Sequence, residues 1–101
     1  MDVKELNKID LNLLVALQVL LEERKVSEAA KRLYVSQSAM SKTLGRLREL
    51  FGDPLFTRTS TEMRPTPRAE YIGSYLPEIL NQVSTIVAPM LFDPVQYSGE
   101  F

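Results

Sequence analysis

Val26 to Gly52 reads VSEAAKRLYVSQSAMSKTLGRLRELFG, and its apolar positions are Ala29, Ala30, Leu33, Val35, Met40, Leu44, Leu47 and Phe51. They divide into two short helical patterns. Ser27 is placed to cap the first, SEAAKRLY, because a serine hydroxyl accepts one of the backbone N–H groups that a helix start leaves unpaired. The small Ala29 and Ala30 let a second helix cross at close range. After a brief turn at Tyr34 and Val35, Ser36 can cap that second helix. There Met40, Leu44, Leu47 and Phe51 recur at i, i+4, i+7 and i+11 and give one apolar stripe. The other side carries Ser38, Ser41, Lys42, Gly45 and Glu49, with Gln37 near the start. The stripe alone is satisfied by any helical hairpin. The polar, basic outer face of the second helix turns the reading toward a helix-turn-helix, with Gln, Ser and Lys suited to base edges and phosphates. Gly45 is unfavourable inside a helix by about 1 kcal/mol relative to Ala, which points either to a close-lying partner or to simple tolerance.

Around this stretch the charge is uneven. The 101 residues carry 12 Lys and Arg against 13 Asp and Glu, a net charge of −1, which looks wrong for a polyanion binder. From Arg24 to Arg68, however, there are ten bases and four acids, a net +6, and the remainder carries −7. A basic face with acidic flanks fits nucleic-acid binding, although an ordinary solvated surface could show the same split. Cysteine and histidine are both absent. That excludes a disulfide framework, a Cys/His zinc site and Cys- or His-based catalysis. Ser38, Ser41 and Lys42 are formally a Ser–Lys set, but they lie on an exposed helix, so neither an enzyme nor a cofactor is expected. Asp2, Lys4 and Glu5 interrupt the N-terminus against a signal peptide, no apolar run is of membrane-spanning length, and a cytoplasmic location is expected.

Upstream, Asp10 precedes LNLLVALQVLLEER and is placed as its N-cap. This helix is apolar on more than one face and closes on Arg24 and Lys25, where cations suit the helix dipole. Downstream, Asp53–Pro54 marks a turn, Pro54 to Arg58 reads as a strand with Phe56 inward, Thr59 to Glu62 as a hairpin tip, and Met63 to Pro65 as the return. Such a ribbon behind a helix-turn-helix is a wing, able to carry Arg58 and Arg64 to phosphates or into the minor groove. Thr66 and Pro67 start a last helix as N-cap and N1. In it Ala69, Ile72, Leu76, Ile79, Val83, Ile86 and Met90 follow at spacings of three and four, a seam expected to pair with its copy in a second subunit. Pro77 is expected to bend that helix, with Gly73 easing the steric conflict, and Pro89 to end it soon after.

DLNLL (Asp10 to Leu14), SEAAKRLYVSQSAMS (Ser27 to Ser41), LRELFGDPLFTR (Leu47 to Arg58) and PTPRA (Pro65 to Ala69) together resemble the LysR-type transcriptional regulators of bacteria. The RLRELFGDPLFTR run with PTPRA is more similar to the NodD/LeuO branch of that family than to its commoner pattern. The resemblance implies an N-terminal DNA-binding domain, and a target that is an interrupted palindrome with T and A near its ends. It implies further that a small-molecule effector acts only through a C-terminal domain lying outside this chain, and that the full-length protein can assemble beyond a dimer. Thr61 stands where many relatives carry an Arg at the wing tip, a departure that leaves more of the work to Arg64.

The expectation is therefore a mainly α fold: a winged helix-turn-helix of three helices and a two-stranded wing over residues 1–66, a linker and dimerisation helix over 67–91, and the start of a hinge over 92–101. The residues expected to contact double-stranded DNA are Ser27, Ser36, Gln37, Ser38, Ser41, Lys42, Arg46, Arg58 and Arg64. Ile72, Leu76, Ile79, Val83 and Ile86 are expected to form the homodimer seam. The rival from another class is a dimeric protein-interaction module that keeps the fold without binding DNA, and SQSAMS with the basic middle segment argues against it.

Overall fold

The computed structural model describes residues 1–92, with side chains to Ala88. The expected hinge therefore lies outside the described residues from position 93 onward. The elements run α1 (Val3–Asn7), α2 (Asn12–Glu23), α3 (Val26–Arg32), α4 (Gln37–Phe51), β1 (Phe56–Arg58), β2 (Met63–Pro65), α5 (Pro67–Gly73) and α6 (Leu76–Phe92). Helices α2, α3 and α4 pack around Leu13, Ala16, Leu17, Leu20, Ala29, Ala30, Met40, Leu44 and Leu47, all buried. Full burial of one such leucine is worth about 1.5–3 kcal/mol, so the α2 leucines alone account for much of what holds the three helices together. The small α3 alanines sit where α2 and α4 approach, as the sequence implied.

Local chemistry sets the ends. Ser36 Oγ accepts the Ala39 amide at 3.0 Å and starts α4. Thr66 Oγ1 accepts the Ala69 amide at 3.1 Å and starts α5, with Pro67 at its first position. Asp10 is not the N-cap expected of it: α2 begins at Asn12 with Leu11 in the cap position, and the Asp10 carboxylate accepts the Asn12 amide at 3.0 Å from one residue further out. Ser27 does not cap α3. The helix begins one residue before it, at Val26 after an extended Lys25, and Ser27 stands inside the first turn. The reason is Arg24, which leaves α2 in the left-handed region (φ 57°) and resets the chain direction early. That conformation costs a non-glycine residue roughly 1–2 kcal/mol. It is offset by two hydrogen bonds: the Arg24 amide donates to Leu20 O at 2.8 Å, and the Arg24 carbonyl accepts the Met63 amide at 2.8 Å. The second of these fastens the wing to the end of α2.

The wing is a two-stranded antiparallel ribbon in the register Phe56↔Pro65, Thr57↔Arg64 and Arg58↔Met63. Asp53 fixes its root, with Oδ1 accepting both the Leu55 amide at 2.7 Å and the Thr66 hydroxyl at 2.8 Å. Leu55 is held at φ 65° but is fully buried, so core packing compensates its strain.

Two expectations change beyond the wing. The linker is two helices, not one bent helix. α5 stops at Gly73, the Ser74 hydroxyl donates to Tyr71 O at 2.6 Å, and α6 restarts at Leu76. Pro77 then occupies the first turn of α6, where its missing N–H costs no helix bond. Gly73 serves packing rather than a kink: a Cβ there would lie 2.9 Å from Leu21 Cδ1 of α2. The seam is also divided. Ala69 and Leu76 are 0% and 2% exposed and belong to the domain's own core, with Ile72 packed against it, because α2 lies over them. Ile79, Val83, Ile86 and Val87 remain exposed. Helix α1, capped by Asp2 on the Glu5 amide at 3.0 Å, was not foreseen and buries none of its residues.

Candidate nucleic-acid interface

Helix α4 presents three different edges. Its buried side is Met40, Leu44 and Leu47, with Phe51 half-buried. At 3.6 residues per turn the opposite side is Ser38, Lys42, Gly45 and Glu49. Ser38, Lys42 and Glu49 are all exposed. On one flank Ser41 and Arg48 line a cleft against Phe56, Arg58 and Met63 of the wing. On the other flank Arg46 turns toward α2, where its Nη2 lies 3.3 Å from Asp10 Oδ2.

A larger open cleft of about 340 Å³ opens beyond the N-terminus of α4. Its lining brings together Lys25, Ser27, Gln37, Arg58 and the tip residues Thr59 to Glu62. The tip is closed by its own hydrogen bonds, the Thr59 amide donating to Glu62 O at 2.8 Å and the Glu62 amide to Thr59 Oγ1 at 3.1 Å. Arg24 and Lys25 also line this cleft, a place beyond the helix termination that their position in the sequence suggests. Their signal was present in the basic count of the middle segment but carried no position.

The geometry separates the predicted residues into groups. Ser27, Gln37, Ser41 and Arg58 are gathered around the two clefts, and Ser38 and Lys42 sit on the adjoining exposed side of α4. Ser36 is exposed at the helix start, its oxygen already engaged as a cap. Arg46 is the outlier, tied to Asp10 away from the wing. Strand alternation also divides the wing arginines. Arg58 shares the ribbon face of Met63 and looks into both clefts, whereas Arg64 pairs with Thr57 on the other face.

Among the described residues Arg24, Lys25, Lys42, Arg58, Arg64 and Arg68 form no ion pair, whereas Arg32, Arg46 and Lys31 do. Arg32 bridges Glu22 at 2.6 Å and Glu23 at 3.0 Å, which raises its own pKa through those hydrogen bonds. Its charge is thus spent inside the domain. These six, together with Arg48, which donates only to the Pro54 carbonyl, are the cations from Arg24 to Arg68 left available to an anionic partner. Tyr34 adds an aromatic ring, 96% exposed at the turn between α3 and α4 and held at φ 56°.

A family model for bacterial regulatory helix-turn-helix proteins of the lysR family matches residues 11–70, more than half of the chain. The chain belongs to the LysR family. It is 45% identical over 94 residues to nodulation protein D 1 of Bradyrhizobium sp. (strain NC92), covering 92% of this chain and 30% of that protein. To the transcriptional regulator SyrM of Rhizobium etli it is 50% identical over 82 residues, 81% of this chain and 24% of that one. The match thus spans 24–30% of the length of these relatives. Among solved structures, a probable transcriptional regulator, PA0477 from Pseudomonas aeruginosa, matches with a TM-score of 0.78 at 39% identity, over 81% of this chain and 28% of that one. The DNA-binding domain of BenM in complex with catB site 1 DNA matches with a TM-score of 0.74 at 26% identity, over 81% of this chain and 92% of that one. The described fold is the LysR-type helix-turn-helix DNA-binding domain, in a family of regulators rather than enzymes. None of its described helices is long and apolar enough to cross a membrane.

Proposed function

We propose that this domain reads double-stranded DNA by laying the N-terminal half of α4 in the major groove, with the wing beside it on the backbone or minor groove. The observation that carries the reading is the gathering of Gln37, Ser41 and unpaired Arg58 around clefts that also hold Arg24 and Lys25. Gln37 and Ser41 supply hydrogen bonds to base edges, with Ser38 and Lys42 on the exposed side adding base and phosphate contacts. Arg24, Lys25 and Ser27 meet the strand that runs past the cleft, and Ser36 lies within reach at the helix start. Arg58 takes the leading role on the wing. Arg64 reaches phosphate from the opposite ribbon face, and Arg46 contributes least because Asp10 holds it. Likeness to a domain solved on DNA supports the same reading.

Two chains pair through the exposed half of α6, at Ile79, Val83, Ile86 and Val87, and so double the cationic surface. Their recognition helices then meet half-sites about 34–36 Å apart or a multiple of it. Residues 1–66 act as the reading head and 67–91 as the linker. A regulator of bacterial transcription works in the cytoplasm, and any small-molecule response lies with the part of such regulators that the described residues do not include. Selection of bound duplexes from a random pool tests the reading. Enrichment of an interrupted palindrome supports it, and failure to enrich any sequence overturns it.

A further inference from the structure

The domain's own packing gives no reason for the glycine in the middle of its recognition helix. Gly45 is the ninth of fifteen residues in α4, its φ is not in the left-handed region, and a Cβ added there would meet nothing within 4 Å. Gly52 is different, since it ends the helix at φ 60°. Gly73 is different again, since a Cβ would strike Leu21. Glycine is the least favourable helix residue after proline because it loses most backbone freedom on folding. At Gly45 neither conformation nor an intramolecular neighbour offsets that loss.

The position lies one helical turn beyond Ser41 and on the side opposite Met40 and Leu47. Ser41, Lys42, Arg48 and Glu49, three and four residues away, are the exposed side chains next to it. We infer that Gly45 is a specificity-determining residue: the bare backbone there lets α4 approach the duplex closely, and any side chain would hold the helix away from the bases. The inference rests on the reading of α4 as the DNA-contacting helix. It assigns to Gly45 the depth to which Gln37 and Ser41 reach. A methyl group at this point stands between helix backbone and groove wall, and a branched side chain fills that gap further.

The test uses the 101-residue chain, a duplex selected with the wild-type protein, and a scrambled duplex of the same length. Gly45→Ala should raise the midpoint of thermal unfolding by several degrees, because alanine favours the helix and meets no obstruction. The same substitution should weaken binding to the selected duplex at least tenfold and to the scrambled duplex far less, and Gly45→Val should weaken selected binding further still. A Gly45→Ala protein that is more stable and binds the selected duplex unchanged or better overturns the inference while leaving DNA reading intact. A fall in thermal midpoint also overturns it, since the glycine would then serve the fold. Absence of duplex binding by the wild type overturns the DNA reading and this inference together.

Discussion

Ala69, Ile72 and Leu76 stand at the same three-and-four spacing as Ile79, Val83 and Ile86, yet the two halves of that series meet different surroundings. The first half lies under α2 and is absorbed into the domain, with Leu76 only 2% exposed. The second half leaves the domain, and Ile86 is 73% exposed. The cations divide in the same way. Arg32 and Arg46 are engaged by Glu22, Glu23 and Asp10, whereas Lys42 and Arg58 have no ion-pair partner among the described residues. In both series the residue types are alike, and what differs is whether another part of the chain has arrived first. Groups with an internal partner hold the domain together. Groups without one are those available for a second chain or for DNA.

The largest effects should come from crossing that line in the hydrophobic series. Leu76→Ala should cost about 2–5 kcal/mol of stability, the usual range for emptying a packed leucine site, and Leu76→Glu should prevent cooperative unfolding from being seen at all. Val83→Glu should leave the helical signal of the domain intact and halve the mass measured by light scattering. A wild-type chain that is monomeric at tens of micromolar would break the comparison, since the exposed half of α6 would then have no second copy to meet. A dimer that survives Val83→Glu would move the interface elsewhere.

Smaller effects should appear in DNA binding. Gln37→Ala should cost about 1–3 kcal/mol on a selected duplex and little on a scrambled one, because an amide that both donates and accepts reads one base edge. The arginines sharpen the contrast between engaged and unengaged charge. Arg58→Ala should weaken both duplexes and make the dependence of log K on log salt shallower by about one unit. Arg46→Ala should change that slope much less, since Asp10 already neutralises its charge. Arg64→Ala should fall between them. Titrations at three salt concentrations decide the order, and an Arg46→Ala slope change equal to that of Arg58→Ala would show that DNA displaces Asp10.

The helix-turn-helix and the wing were legible because their signals are local. The stripe Met40, Leu44, Leu47 and Phe51, the caps at Ser36 and Thr66, and the turn at Asp53–Pro54 each act within a few residues. The misreadings all involve distant partners or unusual backbone. Ser27 was read as a cap because nothing in its neighbourhood announces that Arg24, not a glycine, takes the left-handed conformation. Gly73 was read as easing a kink because its neighbour, Leu21 of α2, is far away in the chain. The contact of Arg46 with Asp10 had no local signal either, since the two are 36 positions apart. The inequality of Arg58 and Arg64 needed the strand register, which pairs Arg58 with Met63 and Arg64 with Thr57.

The smallest predicted effect probes the engaged charges through pH. Glu22 accepts from Gln18 Nε2 at 2.6 Å and from Arg32 at 2.6 Å, and these hydrogen bonds, Gln18 first and Arg32 second, hold its pKa below the ordinary carboxylate value. A carboxyl whose folded pKa is depressed contributes stability that is fully present above its unfolded value, near 4.3, and is lost as pH falls through the folded value. The contribution should therefore be present at neutral pH and decline only as the medium is acidified past the usual glutamate range. Both partners are substantially solvated, so the effect should be small. Glu22→Gln should lower stability slightly at pH 7 and flatten this part of the acid limb, and Arg32→Gln should do nearly the same. Denaturant unfolding of the three proteins between neutral and strongly acidic pH measures it. A Glu22→Gln protein whose acid limb is as steep as the wild type's would mean that the bridge between α2 and α3 adds nothing to the fold. Arg32 would then count with the unengaged cations, and its substitution should alter the salt dependence of DNA binding as Arg58→Ala does.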